Sequence, residues 1–232
     1  MRQSRGNSQM LMDRNLKSAF AEEFRSLRLR LELYPKGGGR GTLAVASAER
    51  EDGRTTVAAN LAIAFSLAGK RTLLVDADLR RPRLHDLFYL QNRGGLTNLL
   101  GISGADLRVY ADKFIQETHI EHLSLLPAGE ADPNAPDRQT GEAMGKLMRV
   151  MKEMYDVVIV DTPPALEAAE AAAVAAGCDG VLLVARSGRT SRRTLLKVRD
   201  AFAAAGADVR GVTLNRAARS RRTDALRSFS GR

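Results

Sequence analysis

Asp76 and Asp78 stand one residue apart where an apolar run, Arg-Thr-Leu-Leu-Val-Asp-Ala-Asp (residues 71–78), comes to its end. In a strand, positions i and i+2 share a face, so both carboxylates leave the strand on the same side. Two acids so placed repel each other unless a cation, a metal or a water relay lies between them. A second apolar run ends in Asp161-Thr162-Pro163-Pro164, and upstream a loop, Ser-Ala-Glu-Arg-Glu-Asp-Gly-Arg-Thr-Thr (47–56), runs into a helix. Taken singly, each has a plain reading. Strand-end aspartates often cap helices or form turns, and an acid before Thr-Pro-Pro can simply close a strand.

The elements that must position these groups alternate strand and helix. Strands are expected at 42–47, 71–76, 123–126, 157–161, 181–185 and 209–214. Helices are expected near 55–68, 138–154, 165–176 and 190–205, with shorter ones between 83 and 120. Continuous apolar strands separated by helices imply a mostly parallel sheet with helices on both faces. Ligands in such α/β folds bind at the carboxyl ends of the strands, where all the acids named above fall. Residues 127–137, with three prolines and a glycine, suit an irregular loop at that edge. Before the sheet, Leu16, Phe20, Phe24, Leu27, Leu31 and Tyr34 recur at helical spacing up to Pro35. Residues 27–33 also alternate as a strand would, but the longer window favours helix. Residues 36–41 form a Gly-rich linker.

Of the 232 residues, 44% are hydrophobic, 27% charged and 5% aromatic, in keeping with one α/β domain with a real core. The net charge of +9 sits at the ends. Residues 216–232 hold six Arg and one Asp, residues 1–17 hold three Arg, one Lys and one Asp, and the body from 18 to 215 is left at +1. We therefore divide the chain into a flexible basic arm (1–17), a single domain (18–215) and a basic Arg/Ser-rich tail (216–232). Basic ends attract nucleic acid, anionic lipid or acidic protein alike, or simply stay solvated. No run of about 18 apolar residues is present, and the first nine residues lack the apolar segment of a secretory signal. The single cysteine, Cys178, suits a reducing compartment and a packing role beside a strand. His85, His119 and His122 form no convincing ligand set.

In its ordered motifs the chain resembles the bacterial tyrosine kinases of capsule and exopolysaccharide synthesis, cytoplasmic P-loop proteins related to partitioning and cell-division ATPases. The resemblance runs from about Glu22 to Arg216. It is carried by Ser47-Ala48-Glu49, Asp76-Ala77-Asp78-Leu79-Arg80-Arg81-Pro82, Leu84-His85-Asp86-Leu87-Phe88, Gly95-Leu96-Thr97 and Leu126-Pro127-Ala128-Gly129. Tyr155-Asp156, Asp161-Thr162-Pro163-Pro164 and Gly211-Val212-Thr213-Leu214-Asn215-Arg216 complete it.

The resemblance implies a P-loop NTPase fold that binds ATP or ADP with Mg²⁺. Backbone N–H groups of residues 50–56, among them Asp52, Gly53, Arg54, Thr55 and Thr56, would cradle phosphates at a helix N-terminus. Thr55 would give its hydroxyl to the metal. Asp76 and Asp78 would orient metal, water and an incoming tyrosine hydroxyl, one of them as base, and Asp161 would hold magnesium through water. Asn215 falls where relatives contact adenine. Glu22, Arg25 and Arg28 match the E-x-x-R-x-x-R motif through which relatives assemble into rings, although the same stripe also occurs on solvated helices.

Two departures stand out. Where the P-loop pattern has lysine before the hydroxyl residue, this chain has Arg54, a wide planar fork in place of a slim point charge. Where relatives carry a further glycine, it has Glu51, which removes backbone freedom and sets a carboxylate beside Asp52. Two unpaired charges about 4 Å apart repel by roughly 1–4 kcal/mol, depending on screening. Relatives also end in a tyrosine cluster; here Tyr34, Tyr89, Tyr110 and Tyr155 all precede the last strand. The expectation is a catalytically impaired member that regulates polysaccharide synthesis with a membrane polysaccharide co-polymerase. It would form a homo-oligomeric ring, stay peripheral to the inner membrane through that partner, and bind no specific nucleic acid. The alternatives are an active tyrosine kinase in which Arg54 serves as lysine, and a partitioning-type ATPase.

Overall fold

Strands covered on both faces read as unbroken apolar runs, and the four central strands of this protein do so. The computed structural model describes residues 18–32, 41–102 and 106–217. Its strands are β1 (Gly41–Ser47), β2 (Thr72–Asp76), β3 (Gln116–Glu117), β4 (Leu123–Leu126), β5 (Val157–Asp161), β6 (Gly180–Arg186) and β7 (Val209–Asn215). Its longer helices are α1 (Ala19–Glu32), α2 (Arg54–Ser66), α5 (Asp106–Phe114), α7 (Gly141–Met154) and α9 (Arg192–Ala204). The short ones are α3 (Leu84–Phe88), α4 (Leu96–Leu99), α6 (Ala135–Arg138) and α8 (Glu170–Ala176).

The strands form one sheet in the order β3-β4-β2-β5-β1-β6-β7, parallel throughout except for β3, which pairs antiparallel with β4. Alternation along the strands divides the core into layers. On one face Val45, Leu74, Ile159, Leu182 and Val184 pack beneath α2, whose Leu61, Ile63 and Phe65 are buried, with α1 and α3 alongside. On the other, Leu73, Val75, Val158 and Val160 meet Met144, Leu147 and Met151 of α7. Ala44, Ala46, Val181 and Leu183 lie on that same face under α8 and α9, where small residues let the helices come close. Phe88 and Phe202, each 1% exposed, contribute about 1.5–3 kcal/mol apiece through burial.

The segment before the sheet is a helix where it is described. Phe20, Phe24, Leu27 and Leu31 line its packed side, and the Phe20 and Phe24 rings meet edge-on at 5.1 Å. Residues 1–17 and 33–40 lie outside the described residues, as does the tail beyond Ala217, so the expected arm, linker and tail are not described structurally. Several boundaries differ from expectation. The Ala-rich segment turns irregularly until 169 and becomes helical only at Glu170, because Ala165, Leu166 and Ala168 spend backbone N–H groups on Ser47, Ala48 and Pro164 carbonyls. The helix expected over 138–154 is broken at residues 139–140, where Thr140 caps α7 through Ala143 N–H. The two-residue β3 escaped a reading based on periodicity, being too short to show one.

The motifs at 95–97 and 126–129 hold the β4 exit together. Leu96 and Thr97 N–H groups donate to the Pro127 and Ala128 carbonyls at 2.8 and 2.9 Å, and Asn92 spans Gly129 through both ends of its amide at 2.8 Å. A Cβ on Gly95 would sit 2.0 Å from the Pro127 carbonyl oxygen, which belongs to fixed backbone. Gly95→Ala is therefore expected to destabilise the fold by about 1–3 kcal/mol or more, read as a lower urea midpoint at unchanged slope.

Candidate functional site: a phosphate-loop edge with an arginine among its acids

Register brings the acids together. Asp76 and Asp161 are directly paired positions on the neighbouring strands β2 and β5, and Ala77 N–H donates to the Asp161 carbonyl at 2.9 Å. Ser47 ends β1 on the other side of β5, and the loop that follows leads into α2. Asn215 ends β7, two strands further along the same edge. The sequence-derived residues of the edge thus converge: loop, three aspartates and asparagine occupy the carboxyl ends of the strands.

Arg54 is the centre of this arrangement. As the first residue of α2 it turns inward, only 8% exposed, and its Nε donates to Asp161 Oδ1 at 2.7 Å while a terminal nitrogen donates to Asp78 Oδ2 at 3.0 Å. Burial opposes its charge, but the facing Asp161 and Asp78 outweigh that and hold the guanidinium protonated. The planar fork suits two separate acceptors, a geometry that a lysine ammonium cannot copy.

Asp76 has different work. It is fully buried, and one oxygen accepts the Arg83 and Leu84 N–H groups at 3.0 and 2.9 Å, capping α3, while the other accepts Asp78 N–H at 3.3 Å. Burial first, then the neighbouring Asp161 charge, raise its carboxyl to about 7. Asp78 is also raised, by burial above all, against the pull of Arg54. Its second oxygen accepts Arg81 N–H at 3.1 Å. The plain reading of a strand-end acid as a helix cap therefore applies to Asp76, alongside its place among the other acids.

The loop itself has the form of an anion cradle. Among the described residues, the backbone N–H groups of Gly53, Arg54, Thr55 and Thr56 find no protein acceptor. Gly53 takes φ +95° as the α2 N-cap, and a Cβ there would lie 1.9 Å from the Asn215 amide nitrogen. Glu51 takes φ +63°, so the loss of glycine at that position is borne as left-handed backbone on a residue with a side chain. Such a conformation costs on the order of 1–3 kcal/mol.

The charges around the loop call for one correction. Glu51 and Asp52 do not face the cradle as unpaired carboxylates. Asp52 is 1% exposed and folds into the loop, accepting Glu49 N–H at 3.0 Å and the Thr190 hydroxyl at 3.2 Å. Glu51 points outward, pairing with Arg189 at 3.4 Å and Arg186 at 3.9 Å. The expected repulsion is accordingly reduced, because cations from the β6–α9 loop have come to meet these acids. Asn215 donates to the Asp52 carbonyl at 2.8 Å, bracing the loop from behind. Thr55 and Thr56 sit in the first turn of α2, half-buried.

Sequence reasoning missed the groups that fasten this edge. Arg80 grips Glu170 of α8 at 2.5 and 3.4 Å, and Gln139 donates to the Ala77 carbonyl, between the two acids, at 3.0 Å. Arg50 pairs with Glu167, and Arg189 also reaches Glu49 at 3.6 Å. Each pair spans strands far apart in the chain, so no local pattern announces it. Away from the edge, Glu22 pairs with Arg25 along α1, and Arg28 turns to Glu32 at 2.7 Å. Cys178 precedes β6 and packs between the helices, its thiol raised to about 12 by burial.

A phosphate chain fits the cradle, since its donors are unspent and its helix dipole favours anions. A divalent cation does not fit the acids as they stand: Arg54 holds Asp161 and Asp78, and backbone donors hold Asp76. Removing the guanidinium strands buried negative charge. Arg54→Met should cost about 3–5 kcal/mol in urea unfolding, and Asp161→Asn added to it should recover part of that loss. The raised Asp76 carboxyl means that the folded state binds more protons than the unfolded state between about pH 4 and 7. This contribution is full at low pH and is lost as pH rises through about 7. Asp76→Asn should flatten the fall in stability from pH 5 to pH 7.5, checked by unfolding at both.

Known proteins share this fold. Residues 42–193 match the AAA domain family model. The chain is 33% identical to tyrosine-protein kinase YwqD of Bacillus subtilis over 93% of its length and 90% of that protein's. The chimerical protein CapA2B2 superposes with a TM-score of 0.80 at 31% identity, covering 91% of each chain. The kinase domain of the Escherichia coli tyrosine kinase ETK gives 0.82 at 28% identity, covering 95% of this chain and 84% of that one. With its α/β P-loop fold, ordered motifs and converging acids, the chain belongs to the family of bacterial tyrosine-protein kinases.

Proposed function

We propose that this protein is a catalytically impaired member of its family, regulating capsular or exopolysaccharide synthesis through assembly rather than phosphoryl turnover. The supporting observation is Arg54, tied to Asp161 and Asp78 where the family pattern has a lysine free to reach phosphates. On this reading the chain binds ATP or ADP weakly through the N–H groups of residues 50–56, with Thr55 and Asn215 at its borders. Magnesium, when bound, would neutralise phosphate charge. To do so it would have to win Asp161 from the guanidinium. The partner would be a membrane polysaccharide co-polymerase, and the chain would sit at the cytoplasmic side of the membrane through it. Glu22 and Arg25 remain on the outer side of α1, where they could exchange their mutual pair for a neighbouring copy in a ring.

A second reading keeps the kinase active on a tyrosine of another protein. It draws on the unspent N–H groups of the loop and on the convergence of Asp76, Asp78 and Asp161. Calorimetric titration with Mg-ATP and Mg-ADP, paired with a tyrosine-phosphorylation assay, separates the two. On the first reading, Arg54→Lys combined with Glu51→Gly gains tenfold or more in affinity and switches on transfer. Brisk transfer by the unaltered chain, lost in Asp78→Asn and unmoved by Arg54→Lys, would establish the second instead.

A further inference from the structure

One corner of the molecule gathers cations that no acid among the described residues answers, in positions that weaken the helix carrying them. Arg192 and Arg193 occupy the first turn of α9, which contains no acid and where the helix dipole is already positive. Lys197 lies one turn beyond Arg193, placing like charges at i,i+4. All three are exposed and have no ion pair among the described residues. The nearby acids are spent elsewhere: Asp200 on Arg199 at 2.7 Å, Glu51 on Arg189 at 3.4 Å and Asp208 on Arg210 at 3.4 Å.

Arg216 joins the same corner, because Ser187 N–H, just before α9, donates to the Asn215 carbonyl at 2.9 Å. Beyond it the sequence to residue 232 adds five Arg against one Asp. Among the described residues, Arg192, Arg193, Lys197 and Arg216 thus gather at one end of the sheet.

We propose that this corner binds an anionic lipid surface directly, without the co-polymerase partner and without nucleotide. Lipid is favoured over nucleic acid because Leu196, 37% exposed, sits among the cations, and among the described residues no aromatic ring is exposed beside them for bases to stack on. Long basic side chains lay apolar stems on such an interface while their charges meet headgroups. Each basic residue held near an anionic surface strengthens attachment about fivefold, so the three on α9 suffice for a large effect.

The test is sedimentation of the full chain with phosphatidylglycerol/phosphatidylcholine vesicles and with pure phosphatidylcholine vesicles. Binding is expected to the first only, and to fall about tenfold or more between 0.1 and 0.5 M salt. Arg192→Glu/Arg193→Glu/Lys197→Glu should lose at least tenfold. Arg30→Glu/Arg93→Glu/Arg149→Glu, with the same net charge, should stay within about twofold. Arg192→Gln/Arg193→Gln, a milder pair, should lose severalfold and decides the matter should the triple reversal fail to fold. Equal losses in both triple variants, unchanged binding in the α9 variants, or tighter binding to a 30-base-pair DNA duplex than to the vesicles at equal salt would overturn the proposal.

Discussion

Three carboxylates packed at the ends of two adjacent strands can share a buried corner only if their charge is answered, and Arg54 answers it. Asp161 and Asp78 each receive one edge of the guanidinium, and Asp76, out of its reach, is met by backbone N–H groups and by a raised proton affinity. The corner therefore carries a balanced set: one cation, two acceptors for it, and a third acid near neutrality. Two charges left about 4 Å apart would otherwise repel by roughly 1–4 kcal/mol. An internal cation with two charge-assisted bonds competes with any divalent ion for the same oxygens.

The loop next to it makes a second compromise. Glu51 accepts a left-handed backbone that glycine would adopt freely, and its side chain is drawn outward by Arg186 and Arg189. Asp52 is turned inward and held by Thr190, while Asn215 braces its carbonyl. Loop, β6–α9 connection and β7 exit thus form one fastened unit. The cradle keeps its unspent donors, but its shape is set by ties to its own protein as much as by any ligand.

Charge is distributed with the same economy. Inside the edge one guanidinium serves two acids and backbone N–H groups serve the third, whereas among the described residues the cations at the start of α9 and at Arg216 have no ion pair. A helix that carries two arginines in its first turn gives up local stability.

Local pattern was enough to place the apolar strands, since a strand buried on both faces needs an uninterrupted run. β4 and β5 fall at their expected bounds for that reason. The ordering of Asp76, Asp78 and Asp161 behind such runs also placed them at one edge, because parallel strands must all deliver their carboxyl ends there. What the chain could not disclose is which oxygen meets which donor. That Asp76 caps α3 while Asp78 and Asp161 divide a guanidinium follows from the register of β2 against β5 and from the inward turn of Arg54. The outward swing of Glu51 is likewise decided by Arg186 and Arg189, more than a hundred residues away, and only folding brings such partners within reach.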